Sequence, residues 1–116
     1  TGYVYPEDMP EIYGLADVLV IPTLCQEAFG MVALEGMVMR VPIISTKSGG
    51  LVEVLNADAA ILIDRENIID EVECAMLKIK EVQIAEKLVR NAREKLERTR
   101  EFWKINYYDE FAKRVR

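Results

Sequence analysis

The chain has 116 residues, 51% hydrophobic and 30% charged, with a net charge of −5, the composition of one small globular domain rather than a disordered segment. It contains no histidine and two cysteines, Cys25 and Cys74, which removes Ser-His-Asp and Cys-His catalysis, the commonest zinc ligand and any disulfide framework. No Lys or Arg precedes Arg40, and later basic residues alternate with acids, as in Glu86/Arg90 and Glu94/Arg98, a pattern of solvated helix faces and not of a nucleic-acid surface.

In chain order, Pro6 to Pro10 reads as a turn and helix start, with Ile12, Tyr13, Leu15 and Ala16 as its apolar face. Val18 to Ile21 is a short β-branched run closed by Pro22, which suits a buried parallel strand. Gly30 to Met39 is expected to be a buried helix, apolar nearly all round. Val41 to Ser45 forms a second strand, with Pro42 tolerable near its start. Thr46 to Gly50 is a loop, Leu51 to Leu55 a short helix, and Ala60 to Ile63 a third strand.

The remainder is helical. Ile68 to Ile79 presents Ile69, Val72, Ala75, Met76 and Ile79, and after a break at Lys80 to Gln83 the stripe Ala85, Leu88, Val89, Ala92 and Leu96 follows. A terminal helix, Phe102 to Val115, carries Trp103, Tyr107, Tyr108 and Phe111, aromatics suited to packing against another domain or subunit. No apolar run reaches the roughly 18 residues of a membrane span, and no basic-then-apolar leader precedes the first elements. A reducing, cytoplasmic setting is the expectation.

Alternating strands and helices imply an α/β fold: a partial Rossmann-like parallel sheet of three to four strands flanked by helices, followed by C-terminal helices. We read residues 1–116 as one partial domain, with a βα part over 1–64 and helices over 65–116. Ligands of such sheets bind beyond the carboxyl ends of the strands, where the loops Thr23 to Phe29 and Thr46 to Gly50 fall. Glu27 and Glu35 flank Phe29-Gly30-Met31-Val32 there. A glycine lets backbone approach a ligand closely, a helix N-terminus offers N–H groups to phosphate, and carboxylates suit sugar hydroxyls or developing positive charge. Their spacing alone is not evidence, because Glu73/Glu81 and Glu86/Glu94 share it on solvated faces. The apolar neighbours of Glu27 and Glu35 are what separates this pair from those. For Cys25, a buried inert thiol is the reading.

Tyr13, Ala16-Asp17-Val18 through Pro22, Glu27-x-Phe29-Gly30, Glu35-x-Met37, Pro42-Ile43-Ile44, Gly49-Gly50-Leu51 and Glu53-Val54 appear in an order and at separations that resemble the retaining glycosyltransferase family 4. The likeness is to the later part of its C-terminal, nucleotide-sugar-binding domain, and runs from about Gly2 to Ile63. The resemblance implies a GT-B architecture of two Rossmann-like domains and sugar transfer from a nucleotide-diphosphate donor, with retention, to an unknown acceptor. It implies that Glu27, as the catalytic residue, lies near the donor sugar and its developing positive charge. Glu35 would hydrogen-bond the ribose, and the N–H groups of Phe29, Gly30, Met31 and Val32 would face sugar and phosphates. Gly49 and Gly50 become possible loop contacts. Cofactors are expected to be none, with no metal.

The chain departs from the family pattern where Gly36 replaces the usual alanine and where Val38, Met39 and Arg40 replace small residues, the last of them a glycine. The resemblance further implies that the acceptor-binding N-terminal domain, and the Arg and Lys that neutralise the donor diphosphate, lie outside this sequence. On that reading the isolated fragment is inactive, and its uncovered sheet edge docks on the missing domain or self-associates. The alternative is a non-catalytic oligomerisation or nucleotide-binding module derived from the same domain.

Overall fold

The computed structural model describes residues 2–26 and 29–103, with side chains through 98. Three parallel strands form its sheet in the order β1-β2-β3: β1 (Leu19–Ile21), β2 (Ile43–Thr46) and β3 (Ile61–Ile63). Leu19 pairs with Ile43, and Ile44 with Ile61. A helix α1 (Met9–Gly14) precedes the sheet; α2 (Met31–Val38) and α3 (Gly49–Val54) make the two crossovers; α4 (Ile68–Ile79) and α5 (Val82–Trp103) follow β3. The expected α/β Rossmann-like class is therefore observed.

Side chains alternate across the strands with the period of two that a pleated backbone imposes. Leu19, Ile21, Ile43 and Leu62 join Ala33, Leu34 and Met37 of α2 and Leu51 of α3 in one core layer. Val20, Ile44, Ile61 and Ile63 face Ala75 and Ile79 of α4 in the other. Both crossovers thus lie over one face, as the uniform hand of parallel connections requires. Helix α5 joins the layers: Ile84 and Leu88 pack with α4, while Ala92 and Leu96, one and two turns further on, pack with α2 and α3. One stripe at four-residue spacing therefore crosses from one face of the sheet to the other, around the β3 side.

Several expected apolar faces are drawn too wide. Ile12 and Leu15 of the first segment are 38% and 83% exposed, whereas Tyr13 is buried against Val41. Helix α1 is a six-residue helix, short enough to seat only Tyr13 and Pro10. Helix α2 is not buried all round, because its first turn, at the rim of the sheet, exposes Met31 and Val32. On α4, Ile69 and Met76 lie outside the contact stripe of Ala75 and Ile79. Helix α3 begins at Gly49, two residues before the expected start, with Ser48 as its N-cap residue. The expected terminal helix is occupied by α5 as far as Trp103; Tyr107, Tyr108, Phe111 and Val115 lie outside the described residues.

Candidate functional site

The carboxyl ends of the strands gather the loops leading to α2 and α3 and the turn after β3, as the parallel order dictates. Gly30 is the N-cap residue of α2 and lies in the left-handed region at φ 75°, where a side chain is costly and glycine is not. Its carbonyl accepts the first bonds of the helix, from Ala33 and Leu34. A Cβ here would stand 2.8 Å from Leu51 Cδ2, so Phe29-Gly30 and Gly49-Gly50-Leu51, separate in sequence, form one close contact. Gly30 has no side chain with which to cap α2, and the helix N-terminus brings partial positive charge to this rim.

Glu35 sits on the second turn of α2, half-buried, where Tyr13 Oη donates a 2.8 Å hydrogen bond to its Oε2. Tyr13 is 4% exposed and held by Val38, Met39 and Val41, so its hydroxyl is a fixed donor. One carboxylate oxygen is thereby positioned. Oε1 has no protein donor among the described residues.

The loop after β1 is held through successive carbonyls. Thr46 Oγ1 donates to the Thr23 carbonyl at 2.7 Å, Arg65 Nη1 to the Leu24 carbonyl at 3.3 Å, and Ser48 Oγ to the Cys25 carbonyl. Lys47 at the same rim is bonded to Asp64 at 2.8 Å. Lys47 and Arg65 bring positive charge to a rim where the residues before Arg40 have none.

Among the residues singled out from sequence, Phe29, Gly30, Met31, Val32, Gly49 and Gly50 converge here, and Glu35 lies farther along α2 from the same rim. Glu27 lies outside the described residues. Cys25 is exposed, not buried: the loop is held by its backbone carbonyls, and the thiol is not needed as an anchor. Sequence reasoning gave Tyr13 a place in the core and in the family pattern but no task, put Thr46 and Ser48 in a rim loop without a role, and missed Arg65. The signal available was the switch from Ile43-Ile44 to Ser45-Thr46 within an otherwise apolar strand. Among the described residues, no group of three or more His, Cys, Asp or Glu is arranged to hold a metal ion.

A family model described as "Glycosyl transferases group 1" matches residues 1–81. The chain belongs to the group 1 glycosyltransferases. It is 31% identical over 87 residues to lipopolysaccharide 1,2-N-acetylglucosaminetransferase of Salmonella typhimurium, covering 71% of this chain and 23% of that protein. It is 45% identical over 51 residues to mannosylfructose-phosphate synthase of Agrobacterium fabrum, covering 44% of this chain and 11% of that one. The fold resembles sucrose-phosphate synthase from Thermosynechococcus elongatus, with a TM-score of 0.74 and 27% identity over 84% of this chain and 24% of that structure. The chain thus spans less than a quarter of the length of these relatives.

Within this group 1 glycosyltransferase, the departures at Gly36 and Arg40 have physical causes. A Cβ on Gly36 would lie 2.5 Å from Leu19 Cδ2 and 3.2 Å from Ile43 Cδ1, so α2 rides directly on β1 and β2. Arg40 lies at φ 59°, the left-handed position that ends many helices. Its N–H bonds the Met37 carbonyl and the Val41 N–H bonds the Gly36 carbonyl, the pairing of a Schellman motif. Arginine occupies a glycine-type backbone site here, and its exposed side chain reaches solvent.

Proposed function

We propose that this chain is the donor-site part of a retaining, family 4 glycosyltransferase of GT-B architecture, drawn from its C-terminal domain. It would act on a nucleotide-diphosphate sugar and pass the sugar to an acceptor hydroxyl. The observation that carries this reading is the pairing, on one short helix, of an N-terminus opened by Gly30 and a carboxylate held in place by Tyr13. Backbone N–H groups of Gly30 to Val32 take the diphosphate, for which a helix terminus is suited. Glu35 Oε1 accepts from a ribose hydroxyl while Oε2 keeps Tyr13. Glu27 is the acid assigned to the sugar, where positive charge develops as the anomeric carbon–oxygen bond to phosphate breaks.

Charge compensation favours a longer protein. A helix terminus contributes about 1 kcal/mol at an exposed site, and Lys47 is already engaged by Asp64. Further cations for the diphosphate come from the remainder of the enzyme, metal-free, in a cytoplasmic setting. Among the described residues no strand pairs with the outer edge of β1; docking of that edge on the rest of the protein, or on a second copy, belongs to the same reading. No helix among the described residues is long and apolar enough to cross a membrane.

The test is Glu35→Gln in the natural protein that contains this sequence, titrated with UDP, GDP and ADP in a calorimeter. The enzyme reading expects the nucleotide bound by wild type to bind about tenfold more weakly, the loss of one charge-assisted hydrogen bond. Unchanged affinity would favour a non-catalytic module. The anomeric configuration of the product, read by NMR, decides retention.

A further inference from the structure

We propose that Thr46, Ser48 and Arg65 are positioning residues of the transfer site, a clamp that fixes residues 23–25 after β1 by holding three successive carbonyls. The inference rests on the donor-site reading. The carbonyls of Thr23, Leu24 and Cys25 each accept from a side chain of the second or third strand's carboxyl end. No comparable apolar anchor exists at these positions: Leu24 is 65% exposed and Cys25 is exposed. The loop's course is therefore set by polar bonds and not by burial.

The donors are placed more firmly than the loop they hold. Thr46 and Ser48 are 0% and 1% exposed, one on β2 and the other at the head of α3. Arg65 leaves β3 and spans 41 positions of sequence to reach Leu24. Its Nε is buried with no protein partner among the described residues, an arrangement that costs free energy. Two residues beyond Cys25 in the sequence stands Glu27. Small displacements of a reacting group are expensive, about a hundredfold in rate for 1 Å. A clamp of this kind thus acts on turnover, whereas nucleotide affinity depends on α2 and Glu35.

The test uses the natural protein and the variants Thr46→Val, Ser48→Ala and Arg65→Met, with Thr46→Ser retaining the hydroxyl. Hydrolysis of UDP-, GDP- and ADP-sugars gives kcat, and calorimetry gives the Kd of the matching nucleoside diphosphate. Each disrupting variant is expected to lower kcat about ten- to a hundredfold and leave Kd within about twofold, with Thr46→Ser near wild type. Amide hydrogen exchange is expected to quicken over residues 23–26 and not over α4. Unchanged exchange in that loop, or quickened exchange with unchanged kcat, overturns the clamp. Parallel loss of kcat and nucleotide affinity marks a structural role and also overturns it. Glu35→Gln without effect on Kd overturns the donor-site reading instead.

Discussion

Tyr13 and Glu35, 22 positions apart, meet in a 2.8 Å hydrogen bond that joins α1 to α2. The contact converts an aromatic that sequence periodicity assigns to the core into the residue that orients a candidate ligand-binding carboxylate. Replacing Tyr13 by Phe keeps the packing against Val41 and removes this donor. We expect a loss of about 1–2 kcal/mol in urea unfolding, because the bond goes to a carboxylate. Nucleoside diphosphate affinity should fall several-fold with it. A variant of unchanged stability and affinity would show that the bond orients nothing.

Gly30 is constrained twice, by φ 75° and by Leu51 Cδ2 at 2.8 Å from a would-be Cβ. Gly30→Ala should therefore destabilise the fold by about 2 kcal/mol, mostly from the left-handed backbone, since the leucine terminus can shift. Chemical denaturation measures this directly. A neutral alanine would mean that the start of α2 adopts another conformation.

Arg40 occupies its left-handed position with an exposed side chain that makes no ion pair among the described residues. Arg40→Gly should stabilise the protein by about 0.5–1 kcal/mol, the left-handed penalty less the greater chain entropy of glycine. Thermal unfolding would then move upward by a few degrees. A lower Tm would show that the arginine side chain contributes something its exposure does not reveal.

Gly36→Ala tests how closely α2 rides on the sheet. With Leu19 Cδ2 at 2.5 Å and Ile43 Cδ1 at 3.2 Å from the added methyl, the helix or the leucine must move. The expected cost is about 1–3 kcal/mol, as for other overpacked cores. Leu19→Val in the same chain should recover part of it, and strict additivity of the two changes would argue against direct contact.

Lys95 donates from Nζ to the Glu53 carbonyl at 2.9 Å, and partial burial lowers its pKa from the ordinary 10.5. The folded state then binds fewer protons than the unfolded state between the lowered value and 10.5. Stability at this site consequently rises with pH across that window. The wild-type advantage over Lys95→Met should grow as pH approaches 10.5 from below; a flat difference would show no desolvation of the amine.

The sequence by itself determined the strand–helix alternation, because the runs Val18 to Ile21, Val41 to Ser45 and Ala60 to Ile63 are short, mostly apolar and β-branched, unlike the longer helical segments. It also pointed to Gly30 as the opening of a helix at the rim of a parallel sheet, because the glycine stands between a short strand and a following apolar helix, whereas its left-handed φ came only from the structure. Only the tertiary structure decided which apolar residues are buried: Ile69 and Leu15 satisfy a helical period yet face outward, because a period marks a stripe but not its width. The partners of the site were equally beyond reach. Tyr13 finds Glu35 across 22 positions and Arg65 finds Leu24 across 41, and local propensity carries no information about contacts closed only when distant segments pack.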